Sequence, residues 1–232
     1  MDLHRSGRLV GAAVLAGYTL DIASNFFLQP MIRTGDGAMG LFGGAAAQPG
    51  LIGVIVLMGL MSGIVSLIMA ALLCQLSIAK PFAWIAFLFL GLKAASFGMG
   101  GSEFASYQLY RSLGDAMLAK PDGELTSLAE PIWTLVTEQR NALHYPHMLL
   151  GGTGAFVFYL LVLQSRWVPQ WLATAGLLAT ASQMTGVFTG VLGADVSLYF
   201  LAPLALVQLL VALWLIVRGF GPRRATDQQQ HV

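Results

Sequence analysis

The chain has 232 residues, 56% hydrophobic and only 10% charged, with a net charge of +1. Soluble domains carry about 25% charged residues, so a water-soluble globule is excluded. The near-neutral balance gives no footing for nucleic acid, and a single cysteine, Cys74, excludes a disulfide framework or a thiolate metal cage.

The first apolar run, about Leu9 to Phe27, follows Arg5 and Arg8. A basic start before an apolar stretch is also the layout of a secretory leader. Here Asp21 and Asn25 interrupt the run and no small-x-small site follows a polar step, so an uncleaved first helix is expected. Further runs cover about 51–78, 82–107, 146–164, 171–192 and 196–217. The second is long enough to tilt. Lys80-Pro81 separates the second and third, Ser165–Pro169 the fourth and fifth, and Gly193-Ala194-Asp195 forms a tight turn before the sixth. In lipid each run satisfies its backbone internally only as a helix. Alternation of the outer-membrane strand kind is absent. The expected fold is all-α: one polytopic transmembrane helical bundle of six spans over 1–221, then a disordered cytoplasmic tail, 222–232.

Two connections are long. The stretch 29–50 is rich in Gly and Ala and is expected on the surface. An outer loop, 112–141, contains Ser127-Leu-Ala-Glu130-Pro131. That spacing fits a capping box with proline in the first turn, opening a helix toward the fourth span that is kinked near Pro146. Pro203 is expected to kink the sixth span.

Lys and Arg counting orients the chain. With both termini in the cytoplasm, Arg5, Arg8, Lys80, Arg166, Arg218, Arg223 and Arg224 lie inside, and Arg33, Arg111, Lys120 and Arg140 outside. The acidic residues Asp36, Asp115, Asp122, Glu124, Glu130, Glu138 and Asp195 also fall outside. Trp84, Trp167, Trp171 and Trp214 then form an aromatic belt near the cytoplasmic ends. The pattern makes the chain a membrane protein with both ends inside and the lipid bilayer as its main surroundings.

Lys93 and Asp21 stand inside apolar runs. A charge at the bilayer centre costs roughly 3 kcal/mol, so two at matching depths are expected to be partners. Asn25 lies one turn beyond Asp21. With Glu103 these residues make a candidate intramembrane polar pocket for a small-molecule ligand; a clamp that fixes helix packing is the alternative. At the outer ends of the third and fourth spans, Glu103, Tyr107, His144 and His147 form a second candidate set. His-x-x-His puts two imidazoles on one helical face, and a carboxylate completes a metal or haem site, a proton relay, or a set of hydrogen-bonded structural histidines. Pro146 between them disfavours a regular helix at Tyr145. Small-residue pairs at Gly59 and Gly63, Ala94 and Gly98, and Gly186 and Gly190 allow close helix packing, within the chain or in a homodimer.

No nucleophile elbow, His-Glu-x-x-His or phosphate loop is present. Gly151-Gly-Thr-Gly154 lacks the following Lys and lies within a span, so it reads as a close-packing patch.

The step Ser165-Arg166-Trp167-Val168-Pro169-Gln170-Trp171-Leu172 and the ending Leu213-Trp214-Leu215-Ile216-Val217-Arg218-Gly219 resemble bacterial six-helix membrane proteins of the domain of unknown function 4386 family. The resemblance covers about 149–219 in motif and the first half in layout. Where the family often has a Glu six residues before that Trp, this chain has Gln208. Glu103 matches an acidic position of the family's third helix, but Gly100 stands where an Arg is expected. The resemblance implies a multipass bacterial membrane protein and no agreed activity. Three functions remain open: solute binding or passage through the polar pocket, redox or enzymatic work at a metal or haem, and an accessory structural role.

Overall fold

The structure is a computed structural model that describes residues 2–194 and 196–221. The expected tail, 222–232, lies outside the described residues, as does Asp195 of the expected turn. The described chain is all-helical. Its elements are α1 (Leu3–Met31), α2 (Gly37–Ala47), α3 (Pro49–Ser77), α4 (Ala83–Ala119), α5 (Glu124–Ser127), α6 (Ala129–Ser165), α7 (Gln170–Val191) and α8 (Leu198–Arg218). A π-helical turn, Ala23–Leu28, lies inside α1. Helices α1, α3, α4, α6 and α8 are long and apolar enough to cross a membrane. The segment expected as the fifth span is helical, as α7, whose 22 residues are long enough, but it is rich in Ala, Gly, Thr and Ser and is not among these five. Outward-facing apolar side chains are numerous, among them Leu57, Ile68, Leu178 and Leu206, each more than 60% exposed. Water would penalise such a surface, whereas lipid does not. The protein is a multipass membrane protein.

The residues gather into two compact units. The first comprises Met1–Leu15, Ser66–Ala94 and Leu149–Val232. Its core joins Leu73, Phe89, Phe158, Tyr159, Leu161, Leu172 and Leu215. Gly176 makes room for the Tyr159 ring, which is 1% exposed. At one end of this unit the start of α1 meets the end of α8: Arg8 Nη2 donates to the Val217 carbonyl at 3.3 Å, and Gly7 packs against Phe220. The α6–α7 connection joins them, as Gly221 N–H donates to the Trp167 carbonyl at 3.1 Å and the Trp167 and Phe220 rings lie 4.7 Å apart. Phe82, from the α3–α4 connection, meets Trp167 at 6.3 Å. Trp167 is therefore a buried plug, 5% exposed, and not part of a belt, while Trp84 and Trp171 are exposed. Helix α7 ends in a Schellman motif: Gly193 takes φ +85°, its N–H donates to Gly190, and Ala194 N–H donates to Thr189.

The second unit comprises Ala16–Val65 and Ala95–Met148. Its core joins Ile32, Phe42, Ile52, Ile55, Tyr107, Tyr110, Met117 and Val136. The stretch 29–50, expected on the surface, instead contributes α2, with Ala38, Gly40, Phe42, Gly44 and Ala45 buried. Small residues let this helix sit close to its neighbours: Gly44 lies against the Ile32 carbonyl and Gly114 of α4 against the Phe42 carbonyl.

The outer loop expected at 112–141 is mostly helix. Helix α4 continues to Ala119 and α6 begins at Ala129. The expected capping box does not form. Ser127 sits in α5 and its hydroxyl donates to the Glu124 carbonyl at 2.7 Å, while Glu130 caps another helix altogether. Pro131 does lie in the first turn of α6, and both α6 and α8 remain helical through Pro146 and Pro203. Gly59, Gly63 and Gly186 give space to Phe104, Phe97 and Phe200 of this same chain, whereas Gly98 has no neighbour within 4 Å of where a Cβ would stand.

Candidate functional site: a buried carboxylate between two imidazoles

Two helical stripes build the site in the second unit. On α4, Gly100, Glu103, Tyr107 and Tyr110 recur at spacings of three and four residues, and on α6 so do Arg140, His144 and His147. Residues so spaced share one helical face. Glu103 is 4% exposed. Its Oε1 lies 2.8 Å from His144 Nδ1 and its Oε2 lies 2.8 Å from His147 Nδ1. An ionised carboxylate only accepts, so each imidazole presents its Nδ1–H, leaving both Nε2 atoms for other partners. Arg140 Nη2 stands 3.6 Å from Glu103 Oε1. The guanidinium lies over the Tyr107 ring, 5.4 Å from its centroid. Tyr107 meets Tyr110 edge-on at 5.7 Å, which ties the cluster to the unit's core.

Gly100 is part of the site. A Cβ there would stand 2.9 Å from His147 Cε1 and 3.0 Å from its Nε2. The missing side chain is what lets the ring lie against the α4 backbone. Pro146 does not stop His144 and His147 from sharing one face, because α6 keeps its helical course there.

Of the residues singled out in the sequence, Glu103, Tyr107, His144 and His147 thus come together. Asp21 and Asn25 are exposed on α1. Asn25 Nδ2 donates to the Asp21 carbonyl at 2.9 Å, and Gln29 Nε2 donates to Asn25 Oδ1 at 2.7 Å, so the Asn25 amide is committed along its own helix. Lys93 belongs to the first unit, with its ammonium 5.7 Å from the Phe89 ring centroid and its stem against Gly154. Asp21 belongs to the second. Arg140 and Tyr110 were missed in the sequence reading, although the four-residue step from Arg140 to His144 is visible there.

The arrangement holds a negative charge out of water and answers it with donors on both oxygens. The three groups of Glu103, His144 and His147 face one another and not a common point. Among the described residues no group of three or more His, Cys, Asp or Glu is disposed to hold a metal. What the cluster can do chemically is shuttle a proton between imidazole and carboxylate, or present N–H donors to a bound group.

A family model described as a domain of unknown function, DUF4386, matches residues 9–219. No curated protein and no solved structure matches the chain. With nearly its whole length matched by that model, the chain belongs to the DUF4386 family.

Proposed function

We propose that this protein works in the bacterial cytoplasmic membrane with both termini inside, and that Glu103, His144, His147 and Arg140 form a polar site that binds a small solute. The carrying observation is the 4%-exposed Glu103 carboxylate held at 2.8 Å by an imidazole on each oxygen. Ionisable groups in such segments are expensive and mark sites of ligand or proton handling. The Lys and Arg balance supports the orientation: Arg5, Arg8, Lys80, Arg166, Arg218, Arg223 and Arg224 inside against Arg33, Arg111, Lys120 and Arg140 outside. In the first unit the start of α1 meets the end of α8. Along α4, Glu103 lies about 30 Å from Ala83, and along α6 His147 lies about 27 Å from Ser165. A hydrocarbon core of about 30 Å puts these residues near its far boundary, where a solute has access from outside.

The test is a thermal-shift screen on the purified protein in mild detergent. Succinate, inorganic phosphate, glycine, glucose and choline serve as probes. A saturable rise in apparent Tm with any of them, lost in His144→Gln/His147→Gln, supports the reading. Absence of a shift with every probe would leave the cluster as a clamp between helices.

A further inference from the structure

Resting on that solute-binding reading, we infer that the solute carries an oxyanion group, a carboxylate or a phosphate, and that Arg140 receives it. The argument starts from an unanswered donor. Arg140 Nε is buried and has no hydrogen-bond partner. A buried N–H without an acceptor is costly, and more so when it is charged. Glu103 cannot supply the acceptor. Its oxygens are turned to the two imidazoles at 2.8 Å, and its nearest approach to the guanidinium, 3.6 Å to Nη2, lies beyond hydrogen-bond reach. Arg140 is thus close enough to Glu103 to feel its charge, yet its Nε–H remains for another group.

The charge of the cluster points the same way. The Arg140 guanidinium, 3.6 Å from Glu103 Oε1, offsets the carboxylate charge. The set of Glu103, Arg140, His144 and His147 therefore presents no net negative charge to repel an anion. The guanidinium stands over the Tyr107 ring, 5.4 Å from its centroid. A planar fork of N–H groups matches two oxygens of one carboxylate or phosphate.

Both a free anion and an anionic lipid headgroup supply that chemistry, and one experiment separates them. The full-length protein in detergent is titrated with succinate, with inorganic phosphate and with phosphatidylglycerol. Glycerol and choline provide the neutral and cationic comparisons. Expected is a saturable rise in apparent Tm of roughly 2–4 °C or more with at least one oxyanion. The rise disappears in Arg140→Gln and persists in Arg111→Gln, which alters a half-exposed arginine paired with Asp115. A response to succinate or phosphate identifies a free anion; a response confined to phosphatidylglycerol identifies a headgroup. An oxyanion response that survives Arg140→Gln overturns the inference. So does a response to glycerol or choline alone, which would leave the solute-binding reading standing; silence with every probe removes both. Should Arg140→Gln not fold, phenylglyoxal labelling of wild type decides: the effective oxyanion must slow modification of Arg140 and not of Arg111.

Discussion

Glu130 caps a helix to which it does not belong. Its Oε1 accepts the backbone N–H of Ala38 at 2.8 Å, 92 residues away in the chain. Asp36, the residue in the N-cap position of α2, makes no side-chain cap bond of its own. The carboxylate thus satisfies one of the orphan donors of α2 and stands at the positive end of its dipole. Gly37, between them, has φ +67°, and a Cβ there would lie 2.7 Å from Glu130 Oε1.

Two consequences follow for stability. Glu130→Ala is expected to cost about 1 kcal/mol, read as a fall of roughly 2–4 °C in apparent Tm. Gly37→Ala should cost more, because it combines the left-handed backbone with the contact against Glu130. Thermal unfolding in detergent measures both. A wild-type Tm for Glu130→Ala would show that the cap contributes nothing.

Removing the central carboxylate should be the more damaging change. Glu103→Ala leaves the Arg140 charge in a largely buried site and strips both imidazoles of their acceptor, at a cost of about 3 kcal/mol or more. Glu103→Gln, His147→Gln and the double variant make a double-mutant cycle. The two residues share a hydrogen bond, so their effects must be non-additive. Simple additivity would mean that the 2.8 Å contact carries no coupling.

The glycines divide into filled and open notches. Gly59→Ala should destabilise, because the new methyl group meets the Phe104 ring. Gly98→Ala, with nothing within 4 Å, should be neutral or slightly stabilising through its helix propensity. Apparent Tm of the two variants side by side tests this. The reverse ranking would place a neighbour on the Gly98 face.

Topology is open to labelling. Lys80 and Lys120 are both exposed. With Cys74 replaced by Ser, Lys80→Cys should react with a membrane-impermeant maleimide only after the cells are opened. Lys120→Cys should react in intact cells. The opposite pattern would invert the proposed orientation.

The membrane character and most helix positions were legible in the sequence, because an apolar run of that length has only one way to satisfy its backbone in lipid. What escaped reading had local causes. Gln108, Arg111 and Asp115 lower the hydropathy of 108–119, yet α4 runs on through them. Four glycines make 37–47 look like a loop, but two of them, Gly40 and Gly44, are what lets α2 pack against Gly35 and Ile32. Ser127 and Glu130 have the spacing of a capping box, and the spacing alone does not reveal that Ala38 N–H competes for the carboxylate. For the site, the three-residue step of His144 and His147 and the lone Glu103 carried the signal. Arg140 was hidden because the fourth helix was started too late, at Pro146, which left it among the charges of a loop.

The two longest helices bear on how Glu103 is held. At 37 residues, α4 and α6 are each about 55 Å long, against a hydrocarbon thickness of about 30 Å. Each is thus about 25 Å longer than a perpendicular crossing requires. Glu103 and His147 are both borne on these over-long rods, so their mutual position is governed by continuous helix and not by the slack of a loop.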